Sequence, residues 1–477
     1  MNEILKLDAT AQAALIKKGA ITPLELVDLS IEASKNLNPI LNAIITPMFD
    51  LARERAKNID LNAPFAGVPM VLKDGIATYK GVPTSNGSQL FKDNKATADS
   101  ELVKRYKEAG FVIIGKTNLP EFGLLPTTEP MSFGATKNPW DISRTPGGSS
   151  GGTAAAVAAR MVALGHGNDG GGSIRIPAAC CGLFGLKPTR GRNPLGPMAS
   201  LVSGLVEEHV LTHSVRDSAA VLDITGQPDA LSFYHAPTQK GTYRDALNQP
   251  LRKLKIGYST TQASGKPVHK DCEKGTLEAV ELCKSFGHEV VHKPLDIPFS
   301  GKDLGEVFGA LWAVCASSPL AFYQMITKTP PPKQMVEPLS YALYEQGQKI
   351  SGATYELARQ KMHRIARSVL TFFQDIDVWI SPSLGMPPVT LGSFVQNVEN
   401  PMVPMEMAAK FSPTTAIFNI SGQPAASVPI FWNKEGLPIG VQIVAKFGDE
   451  TTLFQLAHQM EKEINWQQNT PAILQQT

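Results

Sequence analysis

One stretch, residues 144–192, constrains the fold of this chain more than any other. It carries two glycine–serine clusters, at 147–152 and 170–173, on either side of an alanine-rich segment. Glycine loses more backbone freedom on folding than any other residue, so two such clusters indicate turns where the backbone approaches something closely. The intervening residues 153–164 are rich in helix formers and contain no Gly or Pro. We expect a turn, a buried helix and a second turn, whose serines converge on one site if the chain folds back.

The alternation of apolar segments predicts an α/β protein. Strands ending at Lys73 and at 111–114, and a β–α–β unit in which strands 254–258 and 288–292 flank a helix at 271–286, indicate parallel pairing. No internal repeat or low-complexity linker divides the 477 residues, so we expect one large domain over residues 1–477. The other predicted helices are 8–18, a helix starting at Pro23, 45–59, 100–109, 153–164, 214–225, 304–325, 353–373, 411–419 and 450–464, and the other predicted strands are 378–380, 425–431 and 439–444.

Composition excludes several classes of partner. The formal net charge is +2, which favours neither a nucleic acid nor an anionic membrane as partner. No apolar run reaches the roughly 18 residues of a membrane span. The N-terminus lacks the pattern of a secretory signal, so we expect a cytoplasmic protein. The five cysteines are Cys180, Cys181, Cys272, Cys283 and Cys315. They include no CxxC pair, so the sequence indicates neither a zinc site nor a disulfide framework. No metal or organic cofactor is implied.

Two short motifs match known patterns but lack the required context. Residues 110–117, GFVIIGKT, fit the phosphate-binding pattern G-x-x-x-x-G-K-[ST]. That loop needs flexible backbone between its glycines, whereas the bulky apolar residues here belong in a strand, so we reject phosphate binding. Residues 147–151, GGSSG, fit the nucleophile elbow of α/β hydrolases with Ser149 as nucleophile. That elbow needs a preceding strand, and Pro139 and Pro146 make the preceding segment a poor one.

The second serine hypothesis makes Ser173 the nucleophile. Gly170, Gly171 and Gly172 precede it, so several backbone N–H groups can point at one oxyanion. A serine hydroxyl needs a base, and Lys73 with Ser149 as a relay can supply one. The pKa of a solvent-exposed lysine is about 10.4, so the amine acts as a base near neutral pH only if burial lowers that value. A lysine at the end of an apolar strand is more often exposed than buried, and glycine–serine turns often only turn the chain.

These motifs resemble the amidase signature family along nearly the whole chain. The matching segments are AGVPMVLKDGI at 66–76, GKTNLPEFG at 115–123, GGSSGGTAAAVAA at 147–159, DGGGSIRIPAACCGLFGLKPTRGR at 169–192, FNISGQPAASVP at 418–429 and GLPIGVQIV at 436–444. The spacing between Ser149 and Ser173 also matches that of the family. The resemblance implies an α/β fold in which helices cover both faces of a mixed, twisted sheet.

By the same resemblance, Lys73 is the terminal base, Ser149 bridges to it after a cis peptide bond from Gly148, and Ser173 is the acylated nucleophile. The residues matching the oxyanion hole are Gly170, Gly171, Gly172 and Ser173, through their amides. Asp169 and Arg175 match positions that we interpret as a structural ion pair. The chain departs from most members at Asn168, where they carry Thr, and at Gly170, where they carry Thr or a branched residue.

The triple glycine and the CCGLFGLKPTRGR continuation resemble, within that family, the 6-aminohexanoate cyclic dimer hydrolases. This resemblance implies a neutral, mostly apolar amide as substrate and hydrolysis of a linear, cyclic or aryl amide. Substrate contacts are expected from Met131 and Cys315, with other pocket candidates at 124–129, Trp312 and Met386, although core packing explains each equally well. A homodimer, a glutaminase subunit of a tRNA-dependent amidotransferase and a non-catalytic scaffold remain open alternatives.

Overall fold

The computed structural model describes residues 2–198, 200–394, 396 and 398–475. Within these residues eleven strands form one mixed sheet in the order β1-β3-β2-β4-β6-β5-β10-β11-β9-β7-β8. The predicted α/β class is therefore confirmed. The strands are β1 (Ile44–Pro47), β2 (Pro69–Lys73), β3 (Val112–Thr117), β4 (Leu164–Asp169), β5 (Phe184–Lys187), β6 (Glu207–Thr212), β7 (Lys255–Tyr258), β8 (Glu289–His292), β9 (Val378–Pro382), β10 (Ala425–Trp432) and β11 (Pro438–Ala445).

Helices cover both faces of this sheet. The helices are α1 (Ala9–Lys17), α2 (Pro23–Leu41), α3 (Phe49–Lys57), α4 (Glu101–Glu108), α5 (Gly151–Ala158), α6 (Arg175–Cys181), α7 (Val215–Thr225), α8 (Tyr243–Ala246), α9 (Lys270–Ser285), α10 (Gly301–Thr327), α11 (Pro338–Gln348), α12 (Gly352–Phe372), α13 (Val403–Phe411), α14 (Ile417–Ser421) and α15 (Glu450–Ile464). Short 3₁₀ turns connect several of them.

Each face of the sheet packs against its own apolar core cluster, as consecutive residues of β2 show. Val71 packs with α5 and α6 in one cluster, whereas its neighbours Met70 and Leu72 pack with α4 and α7 in another. Side chains alternate across a strand, so such a split requires apolar partners on both sides. β2 pairs in parallel with β3 and β4 and is completely buried, so its last residue, Lys73, is carried into the interior.

Local signals account for many of the element boundaries. The Thr22 hydroxyl oxygen caps α2 by accepting from the Glu25 N–H, the Glu25 carboxylate accepts from the Thr22 N–H, and Pro23 occupies the first helical position. The Asp8 carboxylate caps α1 by accepting from the Ala11 N–H. β7 and β8 pair in parallel across helix α9, as the sequence pattern predicts.

Three predicted helices are wrong in part. Residues 45–59 begin with strand β1, whose β-branched residues pair with β3, before α3 starts. The helix predicted at 153–164 ends at Ala158, because Arg160 adopts a left-handed conformation with φ 56°. The arginine side chain there donates to the Lys6 carbonyl at 2.8 Å. Residues 411–419 span the end of α13 and the start of α14.

One described helix, α10, is long and apolar enough to cross a membrane by length and composition, with a mean hydropathy of 1.3 over its best window. Of that window, 39% is buried inside the protein. The helix packs along α11 and α12, and its residues Leu311 and Ala313 are buried. A single helix that meets this criterion is weak evidence for a membrane span.

Candidate active site

The three candidate catalytic residues lie at one edge of the sheet. Lys73 ends β2, Ser173 follows β4, and Ser149 lies immediately before α5. β2 and β4 are parallel neighbours, so their carboxyl ends meet at the same edge. The backbone N–H of Ser150 donates to the carbonyl of Ser173 at 3.2 Å, which brings the two glycine–serine clusters together. The chain therefore folds back after the buried helix α5, which brings the serines of the two clusters to one site.

Lys73 contacts two polar groups and no solvent. Its Nζ lies 2.7 Å from Ser149 Oγ and donates to Asn168 Oδ1 at 2.6 Å. A neutral amine has two N–H bonds and one lone pair. The amide oxygen of Asn168 can only accept, so it fixes the N–H side of the amine and leaves the lone pair for the hydroxyl proton of Ser149. The geometry suits proton transfer from Ser149 to Lys73.

Burial lowers the pKa of the Lys73 ammonium to about 7, while the carboxylates of Asp169 and Glu208 oppose that shift. Desolvation disfavours the charged form of a lysine, so a completely buried amine is available as a base near neutral pH. The condition set by the sequence, a buried rather than snorkelling lysine, is met.

The peptide bond between Gly148 and Ser149 is cis. A Cβ at position 148 would lie 2.3 Å from the carbonyl oxygen of Thr127, so only glycine fits this close approach. Ser149 is 1% exposed and Ser173 is 8% exposed. Of the two serines, Ser173 is the one that retains access to solvent.

The glycine turn offers backbone donors, although one of them is already engaged. The N–H of Gly172 donates to Asp169 Oδ1 at 2.7 Å, so this amide is not free to meet an oxyanion in the present structure. Among the described residues, the N–H groups of Gly170, Gly171 and Ser173 have no protein acceptor. Thr415 Oγ1 donates to the carbonyl of Gly171 at 2.6 Å and holds the turn from the opposite side. Donors fixed in this way suit a developing oxyanion.

An apolar wall lies over the glycine turn. A Cβ at Gly170 would approach the Trp312 ring at 3.4 Å, and one at Gly171 would approach the Phe308 ring at 3.2 Å. The two rings stack with centroids 4.8 Å apart. Leu124 and Leu125 pack in the cluster that contains Trp312, so part of the predicted 124–129 segment lies beside this wall.

The structure separates the two predicted substrate-contact residues. Cys315 lies one helical turn after Trp312 and is partly exposed, and burial raises the pKa of its thiol to about 11, which keeps it protonated. Met131 is 71% exposed, and its backbone N–H donates to Glu337 Oε1 at 2.8 Å. Met386 is partly buried against the core cluster that contains α5 and α6. Cys315 is thus the better placed of the two.

The rejected motifs have structural roles. Lys116 of the phosphate-loop match lies inside β3, has no solvent exposure and forms an ion pair with Asp74 at 2.7 Å. In the elbow match, the described residues 142–148 before Ser149 include no strand. A cavity of about 290 Å³ lies elsewhere, and its lining includes Arg192, Asp223 and Tyr243 but none of the candidate catalytic residues. Within the described residues no group of three His, Cys, Asp or Glu side chains is arranged to hold a metal ion.

Sequence reasoning did not assign a contact to four residues that shape this site. Asn168 holds Lys73, and Phe308 completes the apolar wall. Asn419 donates to the carbonyl and to the carboxylate of Asp169, at 2.8 and 2.9 Å, and Thr415 holds Gly171. Asn419 lies in the FNISGQPAASVP segment that carries part of the family resemblance, but nothing local indicated its partner.

Comparison with known proteins agrees with this arrangement. The family model described as Amidase matches residues 25–454. The 6-aminohexanoate-cyclic-dimer hydrolase of Paenarthrobacter ureafaciens is 33% identical, covering 98% of this chain and 97% of the relative. A solved 6-aminohexanoate cyclic dimer hydrolase complexed with substrate superposes with a TM-score of 0.92 at 33% identity, covering 98% of this chain and 99% of that one.

A bacterial aryl acylamidase of the amidase signature family superposes with a TM-score of 0.86 at 26% identity, covering 97% of both chains. These matches extend over almost the full length of the chain. The chain therefore belongs to the amidase family and is an amide-hydrolysing enzyme.

Proposed function

We propose that this enzyme hydrolyses a neutral, largely apolar amide through an acyl-enzyme formed on Ser173. The observation that carries the proposal is the contact of 2.7 Å between the buried Lys73 amine and Ser149 Oγ, beside the Ser173 turn. The lysine pKa of about 7 supports an uncharged amine at neutral pH. No metal or organic cofactor takes part in the proposed reaction.

In the first half-reaction Ser173 Oγ attacks the carbonyl carbon and its proton passes to Ser149, whose own proton passes to Lys73. The C=O π electrons move to the oxygen, which the free amides of Gly170, Gly171 and Ser173 stabilise. The C–N bond then breaks as the proton returns through Ser149 to the leaving nitrogen. The products of this step are the free amine and an ester on Ser173.

In the second half-reaction water replaces the amine. Lys73, acting through Ser149, takes a proton from water as the water oxygen attacks the ester carbonyl. Collapse of the tetrahedral intermediate breaks the C–O bond to Ser173, and the stored proton returns to the serine oxygen. The enzyme is regenerated and the carboxylic acid leaves, so atoms and protons balance over the cycle.

The substrate class follows from the wall over the glycine turn. The side-chain atoms nearest to a Cβ added at Gly170 or Gly171 belong to apolar residues, namely Val206, Trp312, Phe308 and Ala416. These neighbours suit an uncharged, apolar acyl group. The relatives named as cyclic amide dimer hydrolase and aryl acylamidase support the same class. We propose linear, cyclic or aryl amides as substrates, with side activity on the corresponding esters.

Covalent labelling with a serine-directed phosphonate, followed by peptide mapping, tests the proposal. We expect a single adduct on Ser173 and loss of amidase activity in proportion to labelling. The Ser173→Ala variant is the control and must remain unlabelled. An adduct on Ser149 would revive the elbow interpretation, and activity on amides without any adduct in Ser173-containing peptides would overturn the proposed nucleophile.

A further inference from the structure

A second group of buried polar side chains lies next to Lys73, on the side where Asn168 holds the amine. Glu208 on β6 is the register partner of Asn168 on β4. The glutamate is 1% exposed. His166 lies two residues before Asn168, and its Nε2 is 3.0 Å from Glu208 Oε1. The ring of Tyr106 on α4 contacts the His166 ring edge-on, with centroids 6.2 Å apart.

Glu208 differs from the aspartates around Lys73 because no lysine or arginine in the described part of the chain forms an ion pair with it. Asp169 is paired with Arg175, and Asp74 is paired with Lys116. Burial raises the pKa of Glu207, the neighbour on β6, to about 8 against the opposing charges of Lys187 and Arg190, so this carboxyl group is mostly protonated at neutral pH. Among the described residues, the Glu208 carboxylate shares a hydrogen bond with His166, and no lysine or arginine lies within ion-pair distance of it.

A buried carboxylate that no lysine or arginine contacts keeps a poorly compensated charge, which favours positive charge on the groups around it. Lys73 is a buried amine near this glutamate that no carboxylate of the described residues contacts, since its partners are the neutral oxygens of Ser149 and Asn168. The attraction of Glu208 for the Lys73 ammonium acts through the low-dielectric interior, where screening by solvent is weak.

We propose that Glu208 is a positioning residue that acts through Lys73: its buried carboxylate favours the ammonium form and sets the pH at which the amine becomes available as the base. This inference rests on the proposed function, in which Lys73 is that base. Glu208 touches neither the substrate nor the reacting atoms in this scheme. Its effect is confined to the proton affinity of one amine.

The other titratable groups in the cluster support this assignment. The carboxylates of Asp169 and Glu208 both raise the pKa of Lys73 against the effect of burial. Burial and Glu208 together raise the pKa of the Tyr106 hydroxyl, so the tyrosine stays neutral. Burial lowers the pKa of His209 to about 3, so this histidine stays neutral as well. Glu208 is therefore the group whose removal changes the field at Lys73 without breaking an arginine or lysine pair.

The test compares the pH dependence of kcat/KM, from pH 5 to 9, for Glu208→Gln and for wild type on a neutral amide. Without the carboxylate the Lys73 ammonium is less stable, so the acid limb of kcat/KM should move down by about one pH unit. At a pH below the midpoints of both proteins, the variant should then retain a fraction of its own plateau kcat/KM about tenfold larger than the fraction that wild type retains. The plateau itself should fall modestly, because a less basic amine is a weaker base. Tyr106→Phe removes a buried hydroxyl of the same cluster without changing charge, and should leave the limb in place.

Glu208→Met, neutral and of similar length, takes the place of the glutamine variant if that protein does not fold, and the same downward shift is expected. Phosphonate labelling normalises each rate to the concentration of folded sites. An acid limb that stays at the wild-type pH in a folded neutral variant overturns the role of Glu208. A wild-type profile without an acid limb instead contradicts Lys73 as the base, so the two failures are distinguishable.

Discussion

Asp169 and Arg175 form a two-point ion pair in which neither side chain reaches solvent. Arg175 Nη2 lies 2.9 Å from Asp169 Oδ1, and its Nε donates to Oδ2 at the same distance. The remaining donors of the guanidinium bind the Thr415 carbonyl, Gln442 and Asn419. The pair thus joins the loop after β4 to α14 and β11, and the glycine turn is built on that junction.

We predict that Arg175→Met destabilises the protein by about 3–5 kcal/mol, because it leaves the Asp169 carboxylate buried without its cation. Urea unfolding followed by circular dichroism measures this change. Arg359→Met, which removes an arginine of an exposed pair on α12, is the control and should change stability by less than about 1 kcal/mol. Equal unfolding midpoints for the two variants would contradict a structural role for the pair.

Gly172 is predicted to be irreplaceable for geometric reasons. Its φ is 134°, and an added Cβ would lie 2.5 Å from Thr415 Oγ1. Gly172→Ala should displace the turn and lower kcat/KM by about 100-fold, the cost of a misplacement of about 1 Å at a reacting centre. Gly171→Ala is the matched control, because its nearest contact is the edge of the Phe308 ring at 3.2 Å. A smaller loss for Gly172→Ala than for Gly171→Ala would refute the argument.

The part of the site that the sequence predicts is local. Lys73 ends an apolar strand, and the glycines precede Ser173 directly, so neither assignment needs knowledge of distant partners. The contact of Lys73 with Asn168 depends on β2 lying beside β4, and the contact of Gly171 with Phe308 joins residues from opposite halves of the chain. Such contacts arise from tertiary packing, to which single-sequence patterns are insensitive.

Two central strands escape prediction for a related reason. β4 reads LGHGND and β6 reads EEHVLT, which are too polar for buried strands by composition. Both are completely buried, and pairs of polar groups stabilise them there: Glu208 binds His166, Asn168 binds Lys73 and Asp169 binds Arg175. The rule that central strands are apolar fails here, where the interior carries the polar groups of the candidate active site.

Glu337 gives a prediction for stability against pH. Its carboxylate accepts from Met131 N–H and from Gln396, and burial together with Glu121 raises its pKa to about 8. A folded pKa above the unfolded value of 4.5 means that the native state binds the proton more tightly, so stability is lost as pH rises from about 4.5 to 8. Glu337→Gln removes this titration.

We therefore expect the urea midpoint of Glu337→Gln to rise relative to that of wild type as the pH is raised from 5 to 9. Glu345→Gln, at an exposed position of the same helix α11, is the control and should show a difference that does not change with pH. The raised pKa is refuted if the two differences vary with pH in the same way.

Trp312 is predicted to limit the size of the acyl group, because its ring lies against Gly170. Trp312→Leu should enlarge this space and shift kcat/KM toward amides with a bulkier acyl group by about tenfold or more, as one or two methylene groups do in an apolar pocket. Competition between two anilides that differ only in acyl size measures the shift. Trp432→Leu is the control, since Trp432 contacts Trp140, and an equal change of preference in both variants would contradict the assignment.

Two buried lysines make the identity of the base testable by more than a pH profile. Burial lowers the pKa of both Lys73 and Lys187 to about 7, so either one can account for a loss of activity in acid. Only Lys73 lies beside Ser149, whereas Lys187 Nζ donates to the carbonyl of Pro188 at 2.7 Å. The catalytic amine must be neutral, so the wild-type kcat/KM should fall about tenfold per pH unit below pH 7.

Lys73→Met should lower kcat/KM by about 100- to 10,000-fold, the usual contribution of a general base, and the remaining activity should lose its acid limb. Lys187→Met, which removes a lysine of the same burial and pKa, should keep the limb near pH 7. The measurement is kcat/KM against pH on one amide, with both variants normalised by phosphonate labelling. A near-normal rate in Lys73→Met, or a limb that disappears in Lys187→Met instead, would assign the proton transfer to a different amine.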